Sequence, residues 1–353
     1  MGFPSKLASC VLALALVSGV PSDGFAQAAA PDARLLTIPT QVYKTVSNPK
    51  ENVEGWVFFL ILETANERSA APLELTLDYR ANGKSIRKEV RGAAELAAID
   101  KTDYPPGRLT GKEPSRPTFW PHALRIHGYV PATLAIDSIH ATLKIRAGNE
   151  TRSLESTIPV VTYAQRTRLL FPFKGKGLVT QGGVIESGHR NRSGVHALDA
   201  VGLGDTYGPV TRPESRVEHY VGFGREIIAP AAGKIVLARN DRPDQPVSDV
   251  SDSKYYAPEY ASGGDPGNSV VIDHGNGEFS MIAHLRHGSV QVRVGDVVAQ
   301  GEVIGLLGNS GDTTGPHVHF QLQDGPRWEY SDGLPARFEN VQQTARGSFF
   351  DAQ

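Results

Sequence analysis

The stretch Thr313–Gln323, TTGPHVHFQLQ, decides how the C-terminal half is built. Side chains two apart on a strand share a face, and neighbours point to opposite faces. His317, His319 and Gln321 therefore line one face, while Val318, Phe320 and Leu322 line the other. An apolar row set against a row holding two imidazoles reads as an amphipathic strand with one face in a core. Two histidines on the polar face can supply one metal ligand and one acid–base group. Taken alone, the pair also fits two ordinary exposed histidines.

Working outward, residues 225–239 (REIIAPAAGKIVLAR), 268–285 (NSVVIDHGNGEFSMIAHL) and 290–308 (VQVRVGDVVAQGEVIGLLG) read as short apolar strands with glycine between them. Two stretches rich in Gly, Pro, Ser and Asp interrupt them, residues 202–224 and 241–267. Loops of that length inside a compact domain tend to be functional, and these two are expected to border the site. Residues 162–177, TYAQRTRLLFPFKGKG, read as the crossing from an earlier domain.

That earlier domain, residues 34–165, reads as an antiparallel β-sandwich. GWVFFLILE (55–63) has the continuous apolarity of a strand buried on both faces. Residues 73–90 alternate around Asn82-Gly83, a tight hairpin turn, and Gly148-Asn149 repeats the arrangement. RGAAELAAID (91–100) suits a short helix, and the tail after residue 336 carries no clear signal. His122, His127 and His140 fall here without a carboxylate pattern and read as surface or satisfied core residues.

Residues 1–28 read as an export signal. Lys6 is followed by the apolar run LASCVLALALVSGV, too short to span a bilayer, and Ala26–Ala28 offer small residues for cleavage. Cys10 is the only cysteine, so any metal site in the mature chain uses nitrogen and oxygen ligands. A chain of 353 residues accommodates two domains. The net charge of −2 and the lack of a basic run argue against nucleic acid as a partner. No later segment is apolar enough for a membrane span. The expectation is an exported protein, periplasmic or extracellular.

Residues 280–322 hold H-L, a V-x-V-G-D hairpin, G-N-S-G and G-P-H-x-H-F in order. Together they closely resemble the lysostaphin-type zinc endopeptidases, which cleave peptide bonds of bacterial cell walls. The resemblance covers roughly residues 168–325 of a domain placed at 168–345. It implies an all-β chain whose second domain is a duplicated hybrid motif, an antiparallel β-sandwich with an open groove. It also implies a Zn²⁺ cofactor and the peptide part of peptidoglycan as substrate.

Position by position, His319 resembles a zinc ligand and Asp199 the carboxylate ligand, while His284 and His317 resemble the two catalytic histidines. Two imidazoles and one carboxylate leave a fourth tetrahedral position open. The remaining ligand is His189 or His196. On a regular strand His196 and Asp199, three apart, would face opposite ways, whereas GHRNRSGVHALDA matches a branch of the family with its histidine ten residues before the aspartate. This favours His189. A tyrosine frequent in the family two places before the H-L histidine is here Ile282. Arg190 and Arg192 read either as solvated or as meeting acidic stem peptides.

Two other readings compete. The V-x-V-G-D hairpin also occurs in lipoyl and biotinyl carrier domains, but no lysine sits at a hairpin tip beside methionine. A catalytically silent, cell-wall-binding regulator of another hydrolase is the stronger alternative, and metal content separates it from an enzyme.

Overall fold

The strand expected at GWVFFLILE is β3 (Val53–Thr64), and its run from Gly55 to Thr64 is buried throughout. The computed structural model describes residues 33–48, 53–64, 70–100, 119–182, 189, 192–211, 216–260 and 263–353. The export segment lies outside the described residues.

Around β3 stand β1 (Ala33–Ile38), β2 (Val42–Asn48), β4 (Ala70–Ala81) and β5 (Lys84–Gly92), followed by the short helix α1 (Ala93–Ile99). Strands β6 (Phe119–Pro131), β7 (Ser138–Ala147) and β8 (Glu150–Thr162) complete the sheet. The order is β1-β3-β2-β8-β7-β4-β5, with β6 also on β3. Asn82 and Gly83 both take positive φ, 49° and 75°, which a type I′ hairpin requires. The sheet doubles over so that Trp56 of β3 meets Tyr79 of β4, ring centroids 5.6 Å apart, and the enclosed apolar side chains form one core. The sandwich is not wholly antiparallel: β2 and β8 pair in parallel through Val42–Val160 and its neighbours. That pairing joins its two halves, a long-range choice that local alternation does not encode.

The second sheet uses β9 (Gly175–Gln181), β10 (Leu198–Gly202), β12 (Gly233–Arg239), β13 (Asn268–Asp273) and β14 (Phe279–Leu285). It continues with β15 (Val297–Val298), β17 (Val318–Gln323), β18 (Gly333–Leu334) and β19 (Phe349–Ala352). Strands β11 (Glu226–Ile228) and β16 (Val303–Leu306) pair separately. The order is β15-β12-β13-β14-β17-β10-β9-β19, with β18 on β17. The tail that carries no sequence signal is a strand. β19 pairs with β9, and Phe350 packs 4.5 Å from Phe171, so the sheet runs past residue 345.

Strand alternation divides this sheet's two faces. Val318, Phe320 and Leu322 join Leu198, Ala200 and Ile282 in the main core. Asp199, His319 and Gln321 occupy the opposite face. There Met281 and Ala283 pack beneath Ala257 and Tyr260 of the 241–267 loop. Among the described residues, no helix is long and apolar enough to cross a membrane.

Phe320 is fully buried beside Phe338 at the centre of the main core, centroids 5.0 Å apart. Phe320→Ala should lower unfolding free energy by about 3–5 kcal/mol, read by urea denaturation. A loss below 1 kcal/mol would contradict this packing.

Candidate functional site

Antiparallel pairing sets the centre of the site. Asp199 of β10 stands directly opposite His319 of β17. Opposed side chains on one face lie within reach of each other, and His319 Nδ1 is 3.0 Å from Asp199 Oδ1. His189 arrives from outside the sheet, with Nε2 3.2 Å from Asp199 Oδ2 and 3.1 Å from His319 Nδ1. One donor atom from each of the three residues fits within a 4.8 Å cluster. Asp199 is only 5% exposed. Burial pushes its carboxyl up, but the surrounding His189, His317 and His319 imidazoles hold it well below the ordinary range.

His317 precedes β17, and its Nε2 lies 3.6 Å from Asp199 Oδ1. Its Nδ1 faces the Gly315 carbonyl at 2.8 Å. A carbonyl only accepts, so Nδ1 carries the hydrogen and Nε2 presents a lone pair to the centre. His284 obeys the same rule, because its Nδ1 donates to the Ser310 carbonyl at 2.8 Å. The His284 and His317 rings lie 4.7 Å apart, centroid to centroid. Burial, and then the neighbouring His317 and His319 imidazoles, push the His284 imidazole down to about 3.

His284 breaks strand parity. Ile282 faces the main core, so simple alternation would send His284 there too. His284 instead has φ +59°, and Leu285 takes the core place. This left-handed conformation costs a non-glycine residue on the order of 1–3 kcal/mol. The G-N-S-G segment holds the turn. The Gly308 N–H donates to the His284 carbonyl, and a Cβ on Gly308 would lie 2.3 Å from the Arg286 backbone. The Ser310 hydroxyl bridges Asn268 N–H and the Leu285 carbonyl.

Both inserted loops reach this region. Asp312 accepts from the Ser251 and Tyr256 hydroxyls at 2.7 and 2.6 Å and from Gly264 N–H at 2.7 Å. Gln245 donates to the Gly311 carbonyl. The 241–267 loop is thereby tied to the segment that holds His284. The 202–224 loop folds back through Thr211 N–H to the His219 carbonyl, and the Tyr220 hydroxyl lies near Gly315.

His196 is not among the clustered donors, but for a reason other than strand parity. The chain is not extended there. Ser193–His196 is a 3-10 turn, and β10 begins only at Leu198. A register shift at Asp199/Ala200 adjusts β10 to β9 instead. The His196 ring lies against Tyr43 of the sandwich, 6.4 Å between centroids. Arg192 differs from both of its expected roles, because its guanidinium forks onto the Asp332 carboxylate. Arg190 lies outside the described residues. His274 bonds the Ala232 carbonyl and the Ser280 hydroxyl, and His287 bonds the Arg242 carbonyl. His122 pairs with Asp100, a carboxylate the sequence pattern did not reveal.

Two imidazoles and a carboxylate, flanked by two further imidazoles, are the make-up of a mononuclear metallohydrolase centre. Residues 215–329 match Peptidase family M23. His284, His317 and His319 fall inside the matched segment, and His189 and Asp199 precede it. The chain is similar to Peptidoglycan DD-endopeptidase ShyA of Vibrio cholerae, 46% identical over 117 residues, which are 32% of this chain and 22% of that protein. It is also similar to DD-carboxypeptidase/endopeptidase Mpg of Neisseria meningitidis, 43% identical over 57 residues, 16% of this chain and 13% of that protein. The chain thus spans about a fifth or less of the curated relatives it matches. The catalytic domain of the antimicrobial peptidase lysostaphin from Staphylococcus simulans aligns with a TM-score of 0.27 at 20% identity, covering 45% of this chain and 88% of that one.

Desolvation pushes His196 down to about 3 from its ordinary 6.5. The unfolded chain therefore binds this proton more tightly. The stabilising contribution is complete above pH 6.5 and declines as pH falls toward 3. Wild-type unfolding free energy should fall with acidification more steeply than that of His196→Leu, by up to about 1.4 kcal/mol per pH unit. Parallel urea titrations from pH 7.5 to 5 check this. Equal slopes would mean that His196 is not held neutral.

Proposed function

We propose that this chain is an exported zinc metalloendopeptidase that hydrolyses peptide bonds in the stem peptides or cross-links of peptidoglycan. The observation that carries the reading is the clustering of His189, Asp199 and His319 within 4.8 Å, beside His284 and His317. The donors fit zinc: two neutral nitrogens, one carboxylate oxygen and no thiol. When bound, Zn²⁺ supplies Lewis acidity, polarising a carbonyl oxygen and lowering the pKa of water to about 7.

The chain's own residues supply the proton traffic. With Nδ1–H committed to the Ser310 and Gly315 carbonyls, His284 and His317 each offer a bare Nε2 on the same side of the site. A proton leaving the attacking water is received at Nε2. It is returned to the departing nitrogen as the C–N bond breaks, leaving a carboxylate and an amine. The 241–267 loop, tied to the G-N-S-G segment through Tyr256 and Asp312, borders the site in this reading and would contact the peptide. Residues 168–345 form the catalytic domain in this reading. The 34–165 sandwich is a module set beside it, and residues 1–28 are the signal that delivers the enzyme to periplasmic or extracellular peptidoglycan.

Purified mature protein should carry one zinc per chain by elemental analysis. Asp199→Ala and His319→Ala should lose it together with activity, since two ligands hold zinc poorly. Full occupancy in either variant would falsify the ligand set. His284→Ala and His317→Ala should keep zinc and lose about 10²–10⁴-fold in turnover. A folded variant of either that lacks zinc would expose a ligand mistaken for a catalyst.

Digestion of purified sacculi should release new amino termini without new reducing sugar ends. The reverse pattern would indicate a glycosidase, and neither product from zinc-loaded protein would favour the silent binder.

A further inference from the structure

Beyond His319, the polar face of β17 continues with Gln321 and Gln323, 2% and 0% exposed. Their side chains form a directed chain of hydrogen bonds. Gln323 Nε2 donates to the Gly325 carbonyl at 2.7 Å, Gln321 Nε2 donates to Gln323 Oε1, and Gln321 Oε1 lies 3.0 Å from His319 Nε2. The direction is set at one end. A backbone carbonyl only accepts, so Gln323 must turn its NH₂ toward Gly325 and its oxygen toward Gln321. Gln321 must then turn its own NH₂ toward Gln323 and its oxygen toward His319. The hydrogen between that oxygen and the ring can come only from His319 Nε2. Nδ1, which faces Asp199 and His189, is left bare.

We propose that Gln321, oriented by Gln323 and the Gly325 carbonyl, is a positioning residue that selects the His319 tautomer able to bind metal through Nδ1. The proposal rests on the zinc reading above. Selection is needed because Asp199 Oδ1 is 3.0 Å from the same Nδ1 and would accept a hydrogen from it. That tautomer spends the Nδ1 lone pair and closes the site to metal. Gln321 opposes it with a buried acceptor that only Nε2–H can satisfy. Partners of a ligating imidazole's second nitrogen commonly act in this way. The sequence signal is the alternation in HFQLQ, which keeps three polar groups in one row on a strand whose other face is wholly apolar.

The test uses the full mature chain and Zn²⁺ as probe, with affinity read by competition against a chromophoric chelator. Gln321→Leu, which removes the acceptor, should weaken zinc binding about 10–100-fold. Gln321→Glu, which restores an acceptor, should recover most of that loss. Gln323→Leu should fall between, since Gln321 then keeps its oxygen but loses its orientation. In zinc-loaded wild type, long-range ¹H–¹⁵N spectra of ¹⁵N-labelled imidazoles should show His319 protonated at Nε2. A folded Gln321→Leu with wild-type zinc affinity, or a His319 protonated at Nδ1, overturns the relay and leaves the zinc site standing. Wild-type protein that binds no zinc overturns both. Should Gln321→Leu not fold, Gln321→Glu binding far more weakly than wild type, or Gln323→Leu binding as tightly, also overturns the proposal.

Discussion

A carboxylate buried among three imidazoles is the constraint around which the C-terminal half is arranged. Burying an ionised carboxylate without partners costs several kcal/mol. Asp199 is nearly inaccessible and is nevertheless held in its charged form by His189, His317 and His319. One face of β10 and β17 must therefore be polar at the level of Asp199. The next residue on either side, Leu198 and Ala200, must fill the main core. The period-two geometry of the strand meets both demands within three residues. It does so again at Val318, His319 and Phe320 across the pairing.

His284 shows where that economy ends. β14 has the same alternation, and continued regularly it would bury this imidazole in the apolar core. The positive φ at His284 moves the side chain to the face that carries Asp199 and His319, and it is held there by Gly308 N–H donating to its carbonyl and by its own Nδ1 donating to the Ser310 carbonyl. The same G-N-S-G segment is anchored by Gln245 and, through Asp312, by Ser251, Tyr256 and Gly264 of the long loop. The 241–267 loop and the placement of the His284 imidazole are thus one hydrogen-bonded structure.

What could be read from the sequence follows the same division. Strand faces, both hairpin turns and the helix at Ala93–Ile99 were legible because each is set by local alternation or by turn chemistry. The exclusion of His196 followed from strand parity, yet the residue lies in a 3-10 turn where parity has no meaning. A five-residue strand starting two positions later leaves no local trace of where it begins. The parallel pairing of β2 with β8 and the capture of the tail as β19 were illegible for another reason. Both are contacts across more than a hundred residues, made by segments that do not alternate strongly. Arg192 looked solvated because its partner, Asp332, lies 140 positions away.

The remaining member of the cluster is placed by different means. Asp199 and His319 are fixed by strand pairing, and His317 and His284 by carbonyls at strand ends, but His189 stands on no strand. Its main-chain carbonyl accepts from Arg125 Nη2 of the sandwich strand β6 at 3.3 Å. Three residues later, Arg192 is forked onto Asp332, and its carbonyl accepts from Gly333 N–H of β18. Val195, next in the same turn, is buried against Val57 of β3. His189 thus bonds to the sandwich and Arg192 to the second sheet. The N-terminal sandwich touches the main chain of His189 directly, through the Arg125 guanidinium.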